Sequence, residues 1–64
     1  MIAYQITARN NTDGNIYSYE LRPYGELYDL IGLDDNTLIT TNISVGYLID
    51  FVALNHEIIE VHTF

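Results

Sequence analysis

Apolar and polar positions alternate from the start of the chain. Ile2, Tyr4 and Ile6 interleave with Ala3, Gln5 and Thr7, the period of a half-buried strand, so residues 1–8 are expected to be extended. The run NNTDGN (10–15) interrupts the pattern, and Asp13-Gly14 within it is a strong turn signal. Alternation resumes over residues 16–22, with Tyr17, Tyr19 and Leu21 on one face and Ile16, Ser18, Glu20 and Arg22 on the other. An antiparallel hairpin, 1–8/16–22, follows from these two runs and the turn between them.

Pro23 has no N–H to give to a ladder and is expected to end the second strand. After Gly25, the residues Leu27, Leu30 and Ile31 fall at three- and four-residue spacing, which predicts a short helix near 25–31. Glu26 would lie in its first turn and Gly32 would stop it. Asp34-Asp35-Asn36 reads as a turn, and the β-branched stretch TLITTNI predicts a strand near 37–43. Over 44–55, Ser44 can cap a helix with Val45, Leu48, Ile49 and Val52 in one stripe, widened by Phe51 and Leu54. The same residues also fit a buried strand, but the cap and the length favour the helix. Residues 57–64 close as a strand, with Ile59 and Val61 inward and Glu60 and His62 outward. The expected fold class is α+β: one compact domain (1–64), an antiparallel sheet of three to four strands, a main helix near 44–55 and a short one near 25–31.

Composition adds a constraint. Sixty-four residues with no cysteine must fold on apolar packing alone, without disulfides or thiolate metal sites. Hydrophobic residues make up 48% of the chain, enough to place it outside the disordered class, but a core this small raises the expectation of a homodimer or a stabilising partner. Residues 1–8 carry neither a basic region nor a long apolar run, and Asp50 interrupts the most apolar stretch, so neither a signal peptide nor a membrane span is expected. Without secretion the sequons at Asn10 and Asn42 are chance matches, and the expected location is cytoplasmic.

Charge narrows the function classes. In residues 1–22 two arginines (Arg9, Arg22) balance two acids (Asp13, Glu20), so the entire net charge of −7 resides in the rest of the chain, and lysine is absent. Direct binding to nucleic-acid phosphates or to anionic lipid, which relies on Lys and Arg, is excluded on these grounds. The natural partner is basic. The segment GELYDLIGLDDN supplies the candidate surface: Glu26, Asp29, Asp34 and Asp35 as charges, with Tyr24 and Tyr28 beside them as aromatic anchors. Asp50, Glu57 and Glu60 extend the acidic patch if the fold brings them to the same side. Tyr17 and Tyr19, beside Leu21, are expected in the core.

Catalytic chemistry finds little foothold. Glu60 and His62 share a strand face near His56 and Glu57, but their spacing matches no zinc pattern. Ser18 and Ser44 have no arranged His and acid, and no phosphate-cradling glycine loop occurs. Neither an enzyme nor a metal or other cofactor is expected.

In size, acidity and absence of lysine and cysteine, the chain resembles the small acidic inhibitors of bacteriophages and mobile elements, including anti-CRISPR and DNA-mimic proteins. The resemblance implies a non-catalytic protein that blocks the basic groove of a nucleic-acid-handling enzyme in the host cytoplasm. The alternative expectation is a small structural or virion-associated module that assembles through strand edges and tyrosines, its acids serving solubility. An antitoxin or immunity-like partner of a basic toxin fits the same features.

Overall fold

In the computed structural model, which describes residues 1–64, the chain forms five strands and one helix: β1 (Tyr4–Asn10), β2 (Ile16–Tyr24), β3 (Leu27–Gly32), β4 (Thr37–Asn42), α1 (Val45–Ala53) and β5 (His56–Thr63). The strands make one fully antiparallel sheet in the order β4-β3-β2-β1-β5. β1 to β4 are a meander joined by short turns. α1 then carries the chain across one face of the sheet so that β5 pairs with β1 at the opposite edge. No helix is long and apolar enough to cross a membrane.

This architecture corrects the expected α+β fold with three to four strands and two helices. The sheet has five strands and the helix is single. The short helix expected near 25–31 is instead β3, paired with β2 from Tyr19↔Gly32 to Tyr24↔Leu27. Two residues, Gly25 and Glu26, join these strands. Gly25 takes φ 62° while Glu26 does not have a positive φ, the pattern of a type II′ hairpin turn, which requires glycine at its first position. The three- and four-residue spacing of Leu27, Leu30 and Ile31 therefore has another origin. Leu30 packs in the core beneath the helix, whereas Ile31 is buried on the opposite side of the sheet, next to Leu38 of β4. Pro23 does not end β2 either. The β1–β2 ladder runs only as far as Tyr4↔Leu21, so at Pro23 the strand has a partner on its β3 side alone.

The first hairpin turns through Gly14 at φ 72°, with the Asn10 side chain accepting from the backbone of Thr12 and Asp13. Directly opposed residues of antiparallel strands lie on one face. The register thus puts Tyr4, Ile6, Ala8, Tyr17, Tyr19, Leu21, Tyr28, Leu30 and Gly32 beneath the helix. Ile6, Ala8, Leu21, Tyr28 and Leu30 are buried there against Leu48 and Val52, with Val45 and Ile49 half-buried at the edges of the helical stripe. Phe51 and Leu54 do not join that stripe. They lie round the side of the helix, 37% and 80% exposed.

In β5 the register slips between Thr7 and Ala8, which face Glu60 and Ile58 respectively, so Ile59 is an extra residue in a bulge. The bulge passes the inward role from Ile59, which is exposed, to Ile58, while Val61, opposite Ile6, keeps the expected helix-side face at the sheet edge, 37% exposed.

Ser44 caps α1: its backbone is extended (φ −101°, ψ 120°) and its Oγ accepts from Tyr47 N–H at 3.1 Å. Ser44→Ala leaves that donor without its partner and is expected to lower stability by about 1 kcal/mol, read as a shift in urea midpoint at unchanged slope. An unchanged midpoint would show that the cap contributes nothing to folding.

Candidate functional site

A helix of nine residues is about 13 Å long and about 10 Å wide. The outer strands of a five-stranded sheet lie about 19 Å apart. One helix cannot cover that face, and the uncovered part lies at the end of the sheet carrying turns 11–15 and 33–36 and the α1–β5 connection. Here two adjoining hollows of about 280 and 250 Å³ form a groove between α1 and the β3–β4 side of the sheet. Tyr19 and Ile39 belong to both hollows. Phe51, Val52, Asn55 and His56 wall one flank. Tyr17, Thr37, Asp34 and Asp35 frame the other end.

Gly32 is buried, and its lack of a side chain lets Asp35 and Ile39 pack directly over it. A Cβ at that position would stand 3.2 Å from an Asp35 carboxylate oxygen and 3.6 Å from Ile39 Cδ1, so any side chain there would occupy the groove. Ile39 reaches this side because it is the extra residue of a second bulge, where Leu30↔Thr40 gives way to Ile31↔Leu38.

The polar tips of the two groove tyrosines are already engaged. Tyr17 donates its hydroxyl to Asp13 at 2.5 Å. His56 holds Tyr19: its Nδ1 faces two acceptors, Val52 O at 3.0 Å and Asn55 Oδ1 at 2.6 Å, and so carries the proton. Nε2 is then an acceptor for the Tyr19 hydroxyl at 2.7 Å, with the Asn10 amide at 3.5 Å. The imidazole also stands edge-on to both rings, 5.3 Å from Tyr19 and 6.4 Å from Tyr17 between centroids. With both hydroxyls committed, the tyrosines offer the groove their rings.

The electrostatics are one-sided. Asp34 and Asp35 lie at the groove, Asp13 touches Tyr17, and Asp50 is exposed on the helix beside Tyr47, Phe51 and Leu54. The last turn of α1, whose end carries partial negative charge, contains no basic residue. Burial holds the Tyr19 hydroxyl above its ordinary value near 10, and the nearby charges of Asp34, Asp13 and Asp35 add to this. Tyr17 is raised chiefly by its bond to Asp13, and that bond in turn lowers Asp13.

Tyrosines held neutral in the fold stabilise it fully below the unfolded-state value near 10, and that contribution is lost as pH rises through the folded values. Tyr17 and Tyr19 are therefore expected to ionise above the ordinary tyrosine range, with stability declining in that alkaline window. An ultraviolet titration of tyrosinate, repeated on Tyr19→Phe, reads this. Amplitude lost near 10, and not above it, on Tyr19→Phe would refute it.

The opposite face of the sheet is different in kind. Both arginines lie there: Arg9 opposite Ile16 and Glu57, and Arg22 opposite Asp29. Arg22 donates twice to Glu20, at 3.1 Å each, and Glu20 followed by Asp29 holds its proton more tightly than usual. Glu60 contacts His62 Nδ1 at 2.8 Å on the same face. Two arginines thus stand among four acids on this side, and Glu26 occupies the turn at the far end. Asp13, Asp34, Asp35 and Asp50 make up the remainder of the −7 on the helix side, without an arginine.

The residues singled out in GELYDLIGLDDN do not form one surface. Asp34 and Asp35 reach the groove. Asp29 faces away from the helix beside Arg22, so one carboxylate of the segment does have a basic neighbour within the chain. Tyr24 and Glu26 are exposed at the far end of the sheet. Tyr28 is a core residue, its ring 6.0 Å from Tyr4 and its hydroxyl donating to Ile2 O at 2.9 Å. Among the extending acids, Asp50 lies on the helix side, while Glu57 and Glu60 lie on the other face. Tyr17, Tyr19, Gly32, Ile39, Phe51 and His56 complete the groove. Their one sequence signal was the shared strand face of Tyr17 and Tyr19, read there as core.

No protein-family model matches the chain, and neither a curated protein nor a solved structure shows significant similarity to it.

Proposed function

We propose that this chain is a non-catalytic acidic binding protein of the phage or mobile-element inhibitor kind, acting in the host cytoplasm by occupying the basic surface of a nucleic-acid-handling enzyme. The observation that carries the reading is the segregation of charge: four carboxylates and no arginine lie on the helix side, two of them (Asp34 and Asp35) at the groove, and both arginines lie on the other face. Carboxylates crowded without counter-ions repel one another in the free protein. A basic partner relieves that repulsion, and its field accelerates encounter. Phosphates on a nucleic acid present the same sign of charge to such an enzyme, so occupation of its groove would exclude them.

The total accessible surface, 4070 Å², is close to the roughly 4,200 Å² expected of a folded monomer of this size. The test is capture by the tagged full chain from host lysate, washed at low and high salt and challenged with competing DNA. A nuclease, polymerase or similar enzyme, retained at low salt and displaced by DNA, is the expected result. A partner indifferent to both salt and DNA, or recovery of the bait alone as a concentration-independent oligomer, would overturn the reading.

A further inference from the structure

We propose that the groove between α1 and β4 docks a short amphipathic segment of the partner protein, with an apolar side chain over Ile39 and Phe51 and an arginine directed at Asp34 and Asp35. The proposal rests on the reading above and names the element that is recognised. The groove combines apolar and polar lining: Leu30, Ile39, Phe51 and Val52 line one hollow together with Asn10, Asn55 and His56, and Tyr19 contributes a ring whose hydroxyl is already bonded to His56. Phe51 continues it onto an unpartnered helix face with Tyr47 and Leu54, which are 55% and 80% exposed.

A uniformly cationic surface would leave this apolar part unmatched, and a purely apolar segment would leave the carboxylates unmatched. Charge complementarity selects the sign of the occupant. Asp34 and Asp35 stand at one end and Asp50 along the helix, with no arginine on this face. An arginine suits the end over Gly32 better than a lysine. Its stem passes along Ile39, its flat head stacks against a tyrosine ring, and its fork can meet a carboxylate through two hydrogen bonds.

The probe is a short capped peptide alternating arginine and leucine, compared with Lys–Leu, Arg–Ser and Glu–Leu analogues of equal length, titrated into the full chain and followed by amide chemical shifts. Shifts are expected at Tyr19, Gly32, Asp35, Ile39 and Phe51, and not at Thr7 or Glu20 on the other face. The Arg–Leu peptide should bind at least about tenfold tighter than Arg–Ser, and Glu–Leu should not bind. Gly32→Ala, whose methyl would stand 3.2 Å from the Asp35 carboxylate and push it and Ile39 aside, and Ile39→Asp should each weaken the Arg–Leu peptide about tenfold or more, with an intact amide spectrum confirming the fold.

Equal binding of Arg–Ser and Arg–Leu, or shifts centred on the other face, would overturn the proposal. The same groove shifts appearing when the protein alone is concentrated would do so too, by making a second copy the occupant. Its failure is separable from that of the broader reading. An enzyme captured by Gly32→Ala but lost on reversing Asp34 and Asp35 would discard the groove and keep the acidic inhibitor, whereas capture unaffected by either change would discard both.

Discussion

Leu48→Ala is expected to unfold most of the protein at room temperature. Leu48 is fully buried and, with Val52, forms the contact by which α1 closes the core over Ile6, Ala8, Leu21 and Leu30. Removing three carbons from such a site costs about 2–5 kcal/mol, the transfer term plus a cavity the neighbours fill only in part. A domain of this size, without disulfides or metal, commands only about 3–5 kcal/mol in total. The loss therefore consumes most of the available stability, and circular dichroism against urea should show a folded baseline shortened or absent. Leu54→Ala is the control: that side chain is 80% exposed and lies outside the core, so its loss should cost less than about 0.5 kcal/mol. Equal effects of the two substitutions would mean that the helix does not rest on the sheet through Leu48.

Reversal of Asp34 and Asp35 to lysine is expected to have the largest effect on binding. The pair of substitutions takes the net charge from −7 to −3 and puts positive charge at the mouth of the groove. Capture of a basic enzyme should weaken on the order of 100-fold at low salt, mostly through slower association, and the remaining affinity should depend less on salt. The free protein should lose little stability, because the reversal also relieves repulsion between neighbouring acids. Glu26→Lys tests whether position matters or only total charge. Glu26 lies in the β2–β3 turn, at the end of the sheet away from the groove, and its reversal should leave affinity within about threefold. Comparable losses from both ends would show that net charge, and no particular surface, governs binding.

The comparison of Asp34 with Glu26 also shows how far the linear chain could be read. In sequence they are eight apart and belong to one acidic segment; in space a whole strand separates them. The strand is β3, and its misreading as a helix had a physical cause. Apolar side chains at 27, 30 and 31 satisfy a helical spacing, whereas in the strand Leu30 is buried with Tyr28 on the helix side and Ile31 is buried on the other face. The decisive local signal was Gly25-Glu26, a two-residue turn compatible with type II′, and its weight depends on whether a second strand is there to return to. Tyr28 illustrates the same dependence. Beside the acids it reads as an exposed anchor, yet alternation along β3 turns it into the core on the helix side, where its hydroxyl donates to Ile2 O. For Tyr17 and Tyr19 the face was legible, and Tyr19 does pack against the core, but the helix is too short to cover either ring completely.

What the sequence determined by itself are the features whose causes lie within a few residues or in composition alone. The first hairpin follows from alternation around Asp13-Gly14, α1 from its Ser44 cap and its stripe of Val45, Leu48, Ile49 and Val52, and the acidity from nine carboxylates against two arginines. Only the tertiary structure decided the strand order, the two bulges that bring Ile39 and Ile58 toward the helix side, and the placement of both arginines opposite the uncompensated acids. These are outcomes of pairing between residues distant along the chain, and a strand's own residues do not specify its neighbour. The groove belongs to the second group for a still simpler reason: it is the area left when one nine-residue helix lies on a sheet five strands wide.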